Sequence, residues 1–183
     1  MSRFTLPLIL FALLVVVLGI GIRQSPEKDL IPSPLIGKQA PQFSLPNLID
    51  PGQRVSSSQL SGHWYLFNVW GTWCYACRDE QPMLLRIKQS GVIPVVGLDW
   101  KDDDNDALSY LKEEGDPYQT IAVDHDGSEA IMWGVYGAPE TFLVNPQGIV
   151  VQKFIGPITE QDWEQRILPR LPMDHAPSTA SRS

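Results

Sequence analysis

Cys74 and Cys77 are the only cysteines among 183 residues, and they stand two residues apart in the stretch Asn68–Pro82, "NVWGTWCYACRDEQP". Two thiols at that spacing do one of two things: they exchange with a disulfide, or they supply half of a metal site. A purely structural bridge across so small a loop removes little entropy from the unfolded chain. Structural zinc usually takes four ligands. No second CxxC or close His pair is present, and His63, His125 and His175 are scattered and receive no catalytic role. The redox reading therefore leads.

The pair falls where one pattern gives way to another. Trp64–Trp70, "WYLFNVW", is an apolar, β-prone run suited to a buried central strand. From Cys74 to about Gln89 the pattern is helical, with Pro82 inside it predicting a kink. Cys74 is thus expected at a helix N-terminus, where free N–H groups and the helix dipole stabilise a thiolate. Cys77 follows on the same face of the first turn. The expectation is an exposed Cys74 that attacks and a more buried Cys77 that resolves, with Arg78 favouring the Cys74 thiolate.

Further elements must hold this junction. Phe43–Leu45 reads as a short strand, 55–62 as a turn or short helix, and Val92–Leu98 as a second buried strand. Asp103–Glu114 is expected to be helical, with Leu108 and Leu111 inward and carboxylates outward. Thr120–Val123 is a short strand and Ser128–Val135 a short helix. Thr141–Val144 and Ile149–Phe154 flank "NPQG", a hairpin turn signal. Thr159–Leu168 closes the domain as a helix capped by Thr159, and Pro172–Ser183 is expected to be frayed. This alternation implies an α/β fold, a mixed sheet with helices on both faces.

Composition limits the function. The chain is 43% hydrophobic, enough for a core, and its formal charge of −7 argues against a nucleic-acid partner. Phe4–Ile22 is an uncharged run of 19 residues. As a helix it reaches about 28 Å, close to the ~30 Å of a bilayer core. Arg3 and the α-amine favour a cytoplasmic N-terminus, and an uncleaved anchor (residues 1–23) is preferred over a cleaved signal peptide. Residues 24–41 hold Pro26, Pro32, Pro34 and Pro41 and read as a semi-rigid stalk. The domain is then expected over residues 42–171. Outside the cytoplasm an exposed dithiol would rest oxidised unless electrons were supplied.

The cysteine stretch, with Trp73 before the first Cys and Pro82 five residues after the second, resembles the active site of thioredoxin-fold proteins. "GVYGAPETFLV" (Gly134–Val144) narrows the resemblance to the cytochrome c biogenesis thiol:disulfide interchange proteins of the DsbE/CcmG family. "SPLIGKQAPQFSLPNL" and "LDWKDD" agree, and the resemblance runs from about Leu35 to Leu168.

Membership would imply a thioredoxin fold and a membrane-anchored, periplasmic protein-disulfide reductase of the bacterial inner membrane. It would act on apocytochrome c or a cytochrome c maturation thiol protein. Electrons would come from a transmembrane thiol reductase of the DsbD/CcdA type, and no cofactor would be needed. Pro139 matches the family's cis-proline, which presents Ala138 to an extended substrate. Glu80 and Glu140 match acidic residues near the active site. A nearby carboxylate opposes thiolate formation and makes the pair more reducing. Tyr75 departs from the proline usual after the first Cys, which puts the inherited redox poise in question. Trp70 is expected in the core and Trp73 beside the active-site helix. Rival readings are a general anchored reductase of the TlpA/ResA type, a thioredoxin-fold metallochaperone using Cys74 and Cys77, and a scaffold that docks apocytochrome without chemistry.

Overall fold

The computed structural model describes residues 5–23 and 33–172, and the chain divides into two compact units, Met1–Ile31 and Pro32–Ser183. In the first, helix α1 spans Thr5–Arg23. Its side chains are described for residues 7–18, and the large apolar ones from Leu8 to Leu18 are exposed. Among the described residues no helix is long and apolar enough to cross a membrane.

The second unit is built around β3 (Tyr65–Trp70), in which all six residues are buried. It lies in the middle of a five-stranded sheet. On one side come β4 (Val95–Trp100) and then β5 (Thr120–Asp124), parallel to it; on the other come β6 (Glu140–Val144), antiparallel to it, and β7 (Val150–Ile155), antiparallel to β6. The hairpin between β6 and β7 forms at the expected "NPQG", where the Asn145 side chain accepts the backbone N–H groups of Gln147 and Ile149. A separate two-stranded ribbon pairs β1 (Ser44–Pro46) with β2 (Arg54–Ser56), and the short α2 (Ser57–Leu60) follows.

Both faces of the sheet are covered, because every buried strand residue alternates sides. Leu66 and Trp70 pack with Leu84 and Ile87 of α3 (Tyr75–Ser90) and with Ala107, Tyr110 and Leu111 of α4 (Asp104–Glu114). Phe67 and Val69 pack on the other face with Ala130 and Trp133 around α5 (Ser128–Met132). Phe67 stacks on Trp133 at 4.1 Å between ring centres.

Several expectations need correction. Leu108 is 39% exposed, and the inward stripe of α4 is Ala107, Tyr110 and Leu111. That stripe keeps the i, i+3, i+4 spacing but is rotated so that Tyr110 meets Trp70, 5.8 Å between rings. Residues 33–41, expected in the stalk, belong to the domain. Gly37 N–H donates to Val150 O at 2.8 Å, Ala40 N–H donates to Gly148 O at 2.8 Å, and Ala40 is buried. The docked hairpin edge satisfies backbone groups that a free stalk would leave to water. α3 continues through Pro82, which faces solvent. Thr159 caps the closing helix by accepting from Asp162 N–H at 3.1 Å. The helix then changes pitch, from α6 (Glu160–Asp162) through a π turn (Trp163–Ile167) to a 3-10 turn ending at Arg170. The stalk residues 24–32 and the tail 173–183 lie outside the described residues.

Candidate active site

β3 ends at Trp70 and α3 begins at Tyr75, so four residues, "GTWC", turn the chain between them. Cys74 is the N-cap of α3. Its Sγ accepts the Cys77 N–H at 3.1 Å, the position a serine or aspartate oxygen takes in an ordinary cap. Cys74 and Cys77 form a disulfide with their Cα atoms 5.3 Å apart. The expectation of one open and one covered sulfur does not hold in this oxidised state: Cys74 is 5% exposed and Cys77 is 4% exposed. The bridge folds the Cys74 sulfur back over the first helical turn. Solvent meets the flanking aromatics instead, with Tyr75 82% exposed and Trp73 about half exposed.

Trp73 does not lie along α3. Its indole N–H donates to Trp100 O at 3.0 Å, and its ring meets the Trp100 ring edge-on at the end of β4. A Cβ at residue 71 would lie 2.5 Å from the Trp73 indole nitrogen, so the folded-back ring requires glycine at 71. The same loop is held by Asp102, whose carboxylate accepts both the N–H of Thr72 and its hydroxyl, the latter at 2.7 Å.

Beneath the disulfide, Glu80 sits one turn beyond Cys77 and is 1% exposed. Its Oε1 accepts from Asn68 Nδ2 at 2.8 Å and its Oε2 from Ile158 N–H at 3.0 Å. Asn68 also donates to Thr141 Oγ1 and accepts the Tyr118 hydroxyl. All partners of Glu80 are neutral. Burial therefore wins over these hydrogen bonds and pushes the Glu80 carboxyl up to about 7.

Glu140 follows the cis Ala138–Pro139 bond and begins β6. It is an interior-strand residue, since β6 pairs with both β3 and β7. Lys153 of β7 places its Nζ 2.8 Å from Glu140 Oε2 and donates to Gly134 O at 2.9 Å. Both side chains are buried. Burial pushes the Glu140 carboxyl up, while Lys153 and a backbone hydrogen bond from Tyr136 pull it back. Ala138 packs against the apolar cluster that contains both cysteines.

The remaining expected residues are not drawn together. Arg78 lies over the Tyr110 ring, 5.4 Å from its centre. His63 and His125 are exposed, and His175 is outside the described residues. Trp70 is buried, as expected. Sequence reading missed Asn68, Tyr118, Thr141, Lys153, Asp99 and Asp102. A signal existed for two of them: Asn68 interrupts the apolar run "WYLFNVW", and Asp99 is the one charged residue in "VIPVVGLDW".

Residues 36–153 match the AhpC/TSA family. The chain is 45% identical to the thiol:disulfide interchange protein DsbE of Allochromatium vinosum, over 92% of each chain. It is 40% identical to that of Escherichia coli, over 90% of each. The crystal structure of a DsbE-type thiol:disulfide interchange protein from Chlorobium tepidum superimposes with a TM-score of 0.58 at 29% identity, covering 70% of this chain and 90% of that one. The fold is the thioredoxin fold, a mixed sheet flanked by helices, and the chemistry is dithiol–disulfide exchange. This chain belongs to the AhpC/TSA family and, within it, to the DsbE thiol:disulfide interchange proteins.

Proposed function

We propose that this family member is an anchored, periplasm-facing reductase of the bacterial inner membrane. Its substrate is a disulfide in apocytochrome c or in a cytochrome c maturation thiol protein that handles it. The observation that carries the reading is the Cys74 sulfur as the N-cap of α3, accepting the Cys77 N–H at 3.1 Å. A hydrogen bond to the charged form of a thiol favours it, and so does the helix terminus.

In the reduced enzyme the Cys74 thiolate attacks a substrate disulfide. One substrate thiolate leaves, and a mixed disulfide joins Cys74 to the other substrate sulfur. Cys77 then loses its proton and attacks Cys74 Sγ. The Cys74–Cys77 bridge forms, the second substrate thiolate departs, and two electrons have passed to the substrate. Glu80, one turn from Cys77 and raised to about 7, can take up that proton at neutral pH. Ala138 and Pro139 form the docking edge beside the cysteines, and Trp73 and Tyr75 offer aromatic surface to the substrate. Glu140 tunes the site through its pairing with Lys153. A transmembrane thiol reductase of the DsbD/CcdA type returns the electrons, since an oxidising compartment would otherwise hold the pair as the disulfide.

Anchoring by residues 1–23 is supported by the 19 uncharged residues Phe4–Ile22 and by α1, whose large apolar side chains Leu8, Phe11 and Leu14 are each more than half exposed. Residues 24–32 serve as a short stalk, and the domain runs from about residue 33 to 171, with the tail beyond it.

A Cys77→Ser variant tests the proposal in cells. It should accumulate a mixed disulfide through Cys74 whose captured partner is apocytochrome c or a maturation thiol protein. Cys74→Ser should abolish both the adduct and cytochrome c maturation. Full maturation with Cys74→Ser would overturn the reductase reading.

A further inference from the structure

Asp99 is fully buried, and neither of its carboxylate oxygens has a hydrogen-bond donor among the described residues. It lies on β4 directly opposite Trp70, the last residue of β3 before the active-site loop. By strand alternation it faces the same side of the sheet as Trp70, Tyr110 and the disulfide. The Trp70 indole N–H and the Tyr110 hydroxyl, both buried there, also have no hydrogen-bond partner among the described residues. An ionised carboxylate with no donor in such a place is costly.

What faces Asp99 sharpens the problem. Asp102 is close enough to share a hydrogen bond with it, and Asp103 of the same loop and Asp104 of α4 add negative charge. Tyr118, packed from the segment before β5, has its hydroxyl committed to Asn68. The charged groups that act most strongly on Asp99 are anionic. Two carboxylates in contact cannot both ionise cheaply, and one proton between them resolves the contact. The proton belongs on Asp99, because Asp102 already accepts three donors. These are the N–H and hydroxyl of Thr72 and the N–H of Asp103 at 3.0 Å. Burial and the Asp102 charge push the Asp99 carboxyl up to about 8. Lys101, between the two acids, takes φ 52, a left-handed conformation that a non-glycine residue adopts only when its surroundings hold it there.

We propose that Asp99 and Asp102 form a proton-dependent clamp on the active-site loop. The Asp99 O–H donates to the Asp102 carboxylate, that carboxylate holds Thr72, and loss of the proton frees the loop that carries Trp73 and Cys74. Asp99 is thus a positioning residue for the exchange reaction, acting through Asp102 and Thr72. Only the last measurement below rests on Cys74 as the attacking sulfur.

The oxidised full-length protein is the cleanest material, because its cysteines carry no titratable proton. A Glu80→Gln background removes the other buried carboxyl that titrates near neutrality. Following the Asp99 carboxyl carbon and the Thr72 amide by NMR from pH 6 to 10, both should move with one shared midpoint near 8. Adding Asp99→Asn, which keeps a donor and has no proton to lose, should leave the Thr72 amide flat. The clamp is overturned if Asp99 is already a carboxylate at pH 6, if Thr72 stays still while Asp99 titrates, or if the Thr72 inflection survives in Asp99→Asn. Should Asp99→Asn fail to fold, the co-titration in the protein that retains Asp99 decides alone. In the reduced Cys77→Ser protein, alkylation of Cys74 against pH should show the same inflection on top of the thiol's own. Asp99→Asn should abolish it, and identical profiles would overturn the link to the sulfur.

Discussion

Glu80 and Glu140 are the same residue type and are both nearly inaccessible, yet they face opposite sides of the sheet, Glu80 the side of the cysteine pair and Glu140 the side of Val69 and Phe142, and their surroundings are opposite. Glu140 has a buried ammonium 2.8 Å away. Glu80 has only neutral donors: an asparagine side chain and one backbone N–H. A cation fixes a buried carboxylate in its charged form, whereas neutral donors leave the cost of burial uncompensated. One acid is therefore structural charge holding β6 to β7, and the other is poised to exchange a proton near neutral pH. The same amino acid at the same degree of burial does not imply the same role; the charge of its nearest partner separates the two.

The most severe way to break the contrast is to remove the cation. Lys153→Met should leave Glu140 buried and unpaired and cost about 3–5 kcal/mol, read as a large fall in Tm. The double variant Lys153→Met/Glu140→Gln should recover most of that loss. If the single variant were nearly neutral, the ion pair would not be what distinguishes Glu140.

Next comes the pH dependence of stability that Glu80 creates. Its folded-state value, about 7, lies above the ordinary 4.5. The protonated form is thus favoured by folding, so the contribution is fully present below about pH 4.5 and is lost as pH rises towards 7. The ceiling is about 1.4 kcal/mol per pH unit across that window. Glu80→Gln should flatten the curve of stability against pH between 4.5 and 7 relative to the parent. The slope is the informative quantity, because glutamine keeps one acceptor and forfeits the other. Glu140→Gln should flatten that slope less, because Lys153 pulls the Glu140 carboxyl back towards its ordinary value, and an equal flattening by both variants would erase the distinction.

The smallest expected effect is on redox poise. A carboxylate beside the dithiol raises thiol pKa and makes the pair more reducing, so Glu80→Gln should shift the reduction potential upward, by about 30 mV or less. Glu140→Gln should shift it less, since Lys153 already offsets that charge. Equilibration with glutathione measures both, and a larger shift from Glu140 would reverse the assignment.

Much of the molecule was legible because it depends on neighbours along the chain. The strand–helix junction at Cys74, the "NPQG" hairpin and the Thr159 cap are local patterns, and each formed close to where the residues implied. The cis bond before Pro139 followed the family resemblance carried by "GAPETF", whereas the burial of Glu80 and Glu140 had no signal in the residues beside them. Leu108 was misplaced because a period of 3.6 fixes the width of an apolar stripe but not its rotation, which packing against Trp70 sets. The docking of residues 33–41 was missed because prolines report stiffness and say nothing of a hairpin edge more than a hundred residues away.

By itself, then, the sequence determined the chemistry and its address: two thiols at the start of a helix, behind a buried strand, in a chain with an apolar N-terminus. The tertiary structure alone decided the state of the groups around them. It set Lys153 against Glu140, Asn68 against Glu80 and Asp102 against Asp99, and it covered the Cys74 sulfur. The reason is physical. Thiol spacing and helix capping are fixed within a few residues, whereas the free energy of a buried charge depends on partners brought from distant strands.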